Sequence, residues 1–188
     1  RGRIMKKHFW IILFLFVAGC MACAHTGGLS KPASYSFSID IAAGWRKIDN
    51  NRYLLVTKEN LFLQYIMVQN RPIGKSFRYT KKKIQKSMLP EEAAQIVIDE
   101  LTSDENLAKL MILDNSPANI RGHEGFKILY TYKDSAGQTI KTLYYGFIKE
   151  DTFFTLRFRA ADQIYFQRDI NGFRSILNTF EIIKRESA

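Results

Sequence analysis

From Tyr35 onward the chain alternates between apolar and polar positions. Tyr35, Phe37, Ile39 and Ile41 are separated by Ser36, Ser38 and Asp40, and a period of two in aromatic and branched residues predicts a half-buried β-strand. Ala43-Gly44 turns the chain, and Trp45 is expected to cap one end of the core. Two further strands are predicted over Arg52–Lys58 and Leu61–Gln69, with Glu59-Asn60 as the tight turn between them. Leu61–Gln69 is nearly all apolar, which predicts a central strand covered on both faces. Such a strand requires helices packed on the sheet.

The pattern then loosens. Pro72 and Gly74 break the strand, and Tyr79–Lys86 is too basic for a core. Pro90 opens a helix, with Glu91 and Glu92 in its first turn, where carboxylates oppose the positive end of the dipole. Ala94, Val97, Ile98 and Leu101 fall three and four apart and form its core-facing stripe. Beyond Thr102, Leu107, Leu110 and Met111 suit another short turn of helix, and Asp114–Ile120 reads as a connection or an edge strand. The C-terminal half is predicted as a meander: Glu124–Lys133, a turn at Asp134–Gly137, Thr139–Lys149, a turn at Glu150-Asp151, and Thr152–Ala160. Strands this close in sequence need no crossover, so the sheet should be antiparallel. Arg157 and Arg159 alternate with Leu156 and Phe158, which places the second face of that strand partly in water. Ile164–Thr179 carries Phe166, Ile170, Phe173, Ile176 and Leu177 at helical spacing, and Phe180–Ile183 is a short last strand or tail. The fold class predicted is α+β, a mainly antiparallel sheet sandwiched between helices.

The first residues have a different character. Lys6 and Lys7 follow Met5, Phe9–Ala18 is apolar, and Gly19-Cys20 closes the run. A basic start, a short apolar stretch and a small residue before a cut are the parts of a secretory signal peptide. The run falls short of the ~20 residues that span a bilayer. Val17-Ala18-Gly19-Cys20 resembles a bacterial lipobox. That resemblance implies a signal peptide over residues 5–19, cleavage after Gly19, lipidation of Cys20 and a flexible tether over residues 20–34. A transmembrane helix, a plain cleaved signal and lipidation at Cys23 are the competing readings. Resemblance to lipoproteins with no Asp after the cysteine, here Met21, implies the outer membrane, facing the periplasm. Two or more acyl chains anchor stably, at about 0.8 kcal/mol per buried CH₂.

Composition narrows the chemistry. The formal charge is +10 for 188 residues, and about +6 once Arg1, Arg3, Lys6 and Lys7 are set aside. Both cysteines, Cys20 and Cys23, lie ahead of the domain that starts at Tyr35, so the folded body has neither a disulfide nor a thiolate zinc site. His8, His25 and His123 are the only histidines. His123-Glu124 is at most a weak metal site, and Asp99, Glu100, Asp104 and Glu105 read as solvation of a helix end. No nucleophile elbow, Gly-rich phosphate loop or paired-histidine motif is present. Neither a catalytic residue, a metal nor a cofactor is assigned, and the protein is not expected to be an enzyme. The remaining surface feature is Arg78–Lys86. There Lys81, Lys82, Lys83 and Lys86 form a contact patch for an acidic partner or an anionic surface, with no acidic residue in sequence between Asn60 and Leu89. Nucleic acid is not an expected partner outside the cytoplasm.

Phe37, Gly44-Trp45, Tyr130-x-Tyr132-x-Asp134-x-x-Gly137 and Phe173-x-x-Ile176-x-x-x-Phe180 together resemble the PsbP/Mog1-like family over Tyr35–Ile183. Ala42-Ala43 stands where its members usually carry proline. The resemblance implies one domain over residues 35–183, an antiparallel sheet between helices, and binding rather than catalysis. Its members include photosystem extrinsic subunits, a partner of a nuclear transport GTPase and bacterial lipoproteins. The function expected is a lipid-anchored cell-envelope module that binds a protein partner or assembles a complex. The alternative is a small-molecule or lipid-binding module with an aromatic-lined cavity, for which 14 Phe and 9 Tyr supply material.

Overall fold

A period-two pattern gives a sheet only when each strand finds a partner, and most of these do. The computed structural model describes residues 37–48, 50, 52–162 and 164–183. The signal peptide expected over residues 5–19, Cys20, Cys23, the expected tether and Tyr35 lie outside the described residues. Seven strands form one antiparallel sheet: β2 (Arg46–Ile48), β3 (Leu54–Thr57), β4 (Gln64–Pro72), β5 (Ala108–Ile120), β6 (His123–Lys133), β7 (Thr139–Lys149) and β8 (Thr152–Ala161). Their spatial order is β2-β3-β4-β8-β7-β6-β5. A second, two-stranded sheet pairs β1 (Phe37–Ser38) with β9 (Glu181–Ile182). Helices α1 (Pro90–Thr102) and α2 (Tyr165–Thr179) complete the fold.

The two helices cover opposite faces, because alternate residues of one strand enter different cores. On β8, Phe154, Leu156 and Phe158 join Phe173 and Ile176 of α2, whereas Phe153 joins Ala94 and Val97 of α1. On β6, Phe126, Ile128 and Tyr130 share the α1 side, as their alternation predicts. The antiparallel sheet between helices is therefore the observed architecture. Two glycines shape its centre. The Phe126 ring lies where a Cβ on Gly146 would sit, 2.4 Å away, so β7 must be bare there. Likewise a Cβ on Gly172 would fall 2.4 Å from the indole nitrogen of Trp45, which seats the Gly44-Trp45 corner directly on α2.

Several boundaries differ from expectation. Among the described residues the opening strand ends at Ser38, with Phe37 and Ser38 paired to β9, and Ile39 and Ile41 continue outside any strand. A short strand, β2, forms after the Trp45 corner and pairs with β3. The strand predicted over Leu61–Gln69 runs instead over Gln64–Pro72, because Asn60 folds Leu61–Leu63 into a turn. The Asn60 side-chain oxygen accepts the backbone N–H groups of Phe62 and Leu63 at 3.0 and 3.1 Å. Phe62, expected in the covered strand, is 85 % exposed at that turn. From Gln64 to Val68 the strand is buried except for the half-buried Tyr65, so the two-faced reading holds for its central part. The helical turn expected near Leu107–Met111 is absent, and this stretch enters the long edge strand β5. Arg159 is drawn inward more than alternation predicts: it donates to the Tyr132 hydroxyl at 2.8 Å and to the carbonyls of Leu61 and Phe62.

Candidate functional site

The basic stretch between β4 and α1 is held against the helix by groups the sequence does not place beside it. Ile84 is buried on the α1 side of the sheet. The backbone N–H groups of Tyr79 and Thr80 donate to the Glu100 carboxylate at 2.9 Å, and so does the Thr80 hydroxyl. Burial would raise the Glu100 carboxyl, but these donors outweigh it and hold the group below its ordinary range. The four lysines have different surroundings. Lys82 pairs with Asp99 at 2.5 Å and Lys86 with Asp151 at 3.2 Å. Lys81 donates to the carbonyl of Arg78, and the exposed Lys83 lies on a backbone bridge to Ser76. The expectation of a field that no neighbouring carboxylate cancels is thus corrected. Asp99 and Asp151 are remote in sequence, and folding brings them to the loop.

At one end of the sheet the β5–β6 and β7–β8 turns stand side by side. A cleft of about 1020 Å³ opens between them and β9. Arg71, Arg121 and Lys149 stand on its walls, and Phe154, Phe180 and Ile182 contribute apolar lining. A smaller cleft of about 470 Å³ lies on the α1 side of the same turns, and His123, Lys149 and Glu150 line both. The imidazole of His123 stacks on Phe147, with centroids 4.9 Å apart and planes 2° apart. Burial, reinforced by the Lys149 charge, holds His123 below its ordinary value. It is therefore a neutral donor–acceptor at neutral pH. Read from sequence, His123 is an isolated histidine at a turn; the structure makes it the wall between two clefts.

An ionic cluster around one buried carboxylate also escapes sequence reading. The side chain of Asp169 on α2 is 1 % exposed and accepts from Lys58 at 3.1 Å and from Arg168 at 2.6 Å. It also accepts from the Gln64 amide at 3.3 Å, and Arg168 reaches on to Glu59 at 2.6 Å. Burial opposes the Asp169 charge, yet Arg168 and Lys58 together keep its carboxyl below the ordinary value. The cluster ties the β3–β4 hairpin to the first turns of α2. Among the described residues, no three His, Cys, Asp or Glu side chains gather to hold a metal ion, and no helix is long and apolar enough to cross a membrane.

Among the described residues, the edge strand β5 presents the largest run of exposed apolar side chains. Met111, Ile112 and Leu113 are 60, 36 and 47 % exposed. Register shifts between Ala108 and Met111 and between Ile112 and Asp114, with Lys109 at φ 54°, twist this part of the edge.

No protein-family model and no curated protein matches the chain. Solved structures do. LpqN, described as involved in cell envelope biogenesis of Mycobacterium tuberculosis, matches at TM-score 0.56 and 13% identity over 82% of this chain and 87% of its own. Cyanobacterial PsbP from Synechocystis sp. PCC 6803 matches at TM-score 0.55 and 10% identity, over 88% and 98%. The Ran-binding protein Mog1p of Saccharomyces cerevisiae matches at TM-score 0.53 and 12% identity, over 79% and 91%. Against a matching Bacteroides thetaiotaomicron structure, the chain spans 46% of that protein's length. Identities this low speak for architecture alone, and the architecture is the finding: with its antiparallel sheet between two helices, the chain has the PsbP/Mog1-like fold.

Proposed function

We propose that the chain is a lipid-anchored, non-enzymatic cell-envelope protein whose domain binds another protein or assembles into a complex. The carrying observation is the exposed Met111-Ile112-Leu113 run on the free edge of the seven-stranded sheet. Soluble domains usually blunt such an edge with charge, bulges or a cover; the register shifts here twist the backbone but leave these side chains exposed, and an exposed apolar run of this kind marks a contact surface. A partner's apolar side chains packed against the run would cover it. The fold supports a binding role by analogy only: Mog1p is named for binding Ran, and LpqN for envelope biogenesis. In this reading Cys20 carries the lipid, residues 20–34 form the tether, and the domain faces the periplasm from the outer membrane.

Intact mass and site-specific crosslinking test the two halves of this reading. Protein made with its own signal should begin at an acylated Cys20, and Cys20→Ser should lose membrane partitioning. A photo-crosslinking residue at Leu113 should capture a discrete envelope protein, whereas the same probe at Ser135, in the β6–β7 turn, should not. A Cys20→Ser protein that is processed and still partitions as before refutes the anchor. Equal capture at both positions, or none at Leu113, refutes the edge as the binding face.

A further inference from the structure

On the α1 side of the sheet the helix packs chiefly on β5, β6 and β7, and the strip of β4 and β8 beside it stays in part open. Strand pairing sets Tyr65 opposite Arg159 and Met67 opposite Arg157, with Tyr144 of β7 on the other flank of Arg157. Tyr65, Arg157 and Arg159 are half-buried, as is Tyr132 of β6. We propose that this strip is a binding site for a single carboxylate group, held by the Arg157 guanidinium with the Tyr65 and Tyr132 hydroxyls as further donors.

The charge of Arg157 has no counter-ion within the fold. Among the described residues no carboxylate pairs with it; its guanidinium meets the Met67 sulfur at 3.6 Å and lies over the Tyr144 ring, 5.7 Å from the centroid. Sulfur is a weak acceptor, and ring stacking occupies the face of a guanidinium while leaving its N–H edge free. The Nε of Arg157 is buried without an acceptor, whereas its Nη1 reaches solvent and makes no hydrogen bond. A carboxylate is the planar acceptor that such an edge takes in a charge-assisted fork.

The neighbouring hydroxyls supply donors rather than acceptors. Tyr132 already accepts from Arg159 at 2.8 Å, so its own proton remains to be given. Burial pushes the Tyr132 phenol up, which keeps that proton in place at neutral pH. The Tyr65 hydroxyl makes no hydrogen bond among the described residues. These groups converge from three strands: Arg157, Tyr132 and Tyr65 all bear electrostatically on the buried Tyr130 hydroxyl.

The other arginines of this face are already committed, and that sets the charge of the ligand. Arg159 donates to the carbonyls of Leu61 and Phe62 and stands 4.0 Å from the Asp134 carboxylate. Arg71 is tied to the carbonyls of Lys75 and Ser76 and packs on Phe77. The uncompensated charge is that of Arg157, and one positive charge matches a monoanion better than a dianion such as sulfate. A neutral amide of the same shape would accept from the donors and leave the charge unpaired.

The test is a titration of the full chain at constant ionic strength, set with sodium chloride, and followed by NMR. The signals are the Arg157 Nε–H, assigned by its absence from Arg157→Gln, and the backbone amides of β4 and β8. The probes are acetate, its neutral isostere acetamide, and sulfate. Acetate should shift these signals saturably, with acetamide and sulfate each at least about tenfold weaker. Arg157→Gln should bind acetate about tenfold or more weakly. Tyr65→Phe, which removes one hydroxyl and keeps the ring, should hold the wild-type melting temperature and bind about two- to tenfold more weakly; it carries the test alone if Arg157→Gln does not fold. No saturable shift with acetate, equal binding of acetamide or of sulfate, or undiminished binding by either folded variant would each overturn the proposal. None of these outcomes depends on Cys20 or on the β5 edge.

Discussion

Gly172 illustrates how far a single residue's meaning depends on folding. Its helix would tolerate alanine, and in an isolated helix alanine would be better by about 1 kcal/mol. Here the added methyl would meet the Trp45 indole at 2.4 Å, so the ring, which packs edge-on to Phe158 with centroids 6.3 Å apart, would have to shift. Gly172→Ala should therefore be net destabilising, by about 1–3 kcal/mol as overpacking usually costs, and should shift the emission of Trp45. A denaturant titration showing a gain in stability would mean that the corner is free to move. The Gly44-Trp45 corner was legible in the sequence; the glycine that receives it was not, because its partner lies on an element far along the chain. Asp169 poses the same difficulty, as one acid on an amphipathic helix looks solvated until Lys58 and Gln64 are folded against it. Because its carboxyl is held below the ordinary 3.8, its contribution is complete above that pH and is lost as pH falls through the lower folded value. Acid unfolding of Asp169→Asn should show a smaller decline below about pH 4 than wild type. At neutral pH it should be weaker by about 1.5–3 kcal/mol, the range for hydrogen bonds to charged groups. Parallel acid profiles for the two proteins would remove Asp169 from the account.

At the scale of elements, regular alternation was the reliable guide. β6, β7 and β8 and both helices stand within a few residues of their predicted limits, because each has either strict period two or a clear apolar stripe. The start of β5 differs from the pattern's prediction. Leu110-Met111-Ile112-Leu113 is a continuous apolar run, and such a run fits a helix turn or a strand equally until its surroundings decide. The lysine loop was recognised as surface, yet its electrostatics depend on Asp99 and Asp151, which no local pattern brings near. This alters what charge removal should do. Changing Lys81, Lys82, Lys83 and Lys86 together to Gln breaks two exposed ion pairs, each worth about 0–1 kcal/mol. A fall of a few degrees or less in melting temperature is expected, since Ile84 and Glu100 still hold the loop. If the quartet also forms a contact with an acidic partner or anionic vesicles, the variant should bind them less, with a flatter salt dependence. Unchanged vesicle binding at low salt would reduce the quartet to solvated surface.

For the whole molecule, the sequence indicated a sheet between helices, and the sheet is there. It did not indicate that β8 inserts between β4 and β7. The nine paired positions from Gln64↔Ala160 to Pro72↔Thr152 join the two halves of the chain. Burial patterning reports that a strand has neighbours without naming them, which is why architecture was legible and strand order was not. One consequence follows from the small β1–β9 sheet. Phe37 opposes Ile182, so the chain enters and leaves the domain at the same spot, beside the larger cleft. A reporter fused after Ile183 would crowd both the entry of the chain at Phe37 and that cleft. The Asp134–Gly137 turn lies at the far end of the sheet, is closed by the Asp134 side chain accepting from Ala136 and Gln138, and has an exposed tip. Exposed turns of this kind accept insertions and new termini. Joining residue 183 to residue 37 through a short linker and reopening the chain at Ser135-Ala136 should thus give a circular permutant that keeps every strand pair, with both new ends at the pole of the domain opposite the cleft.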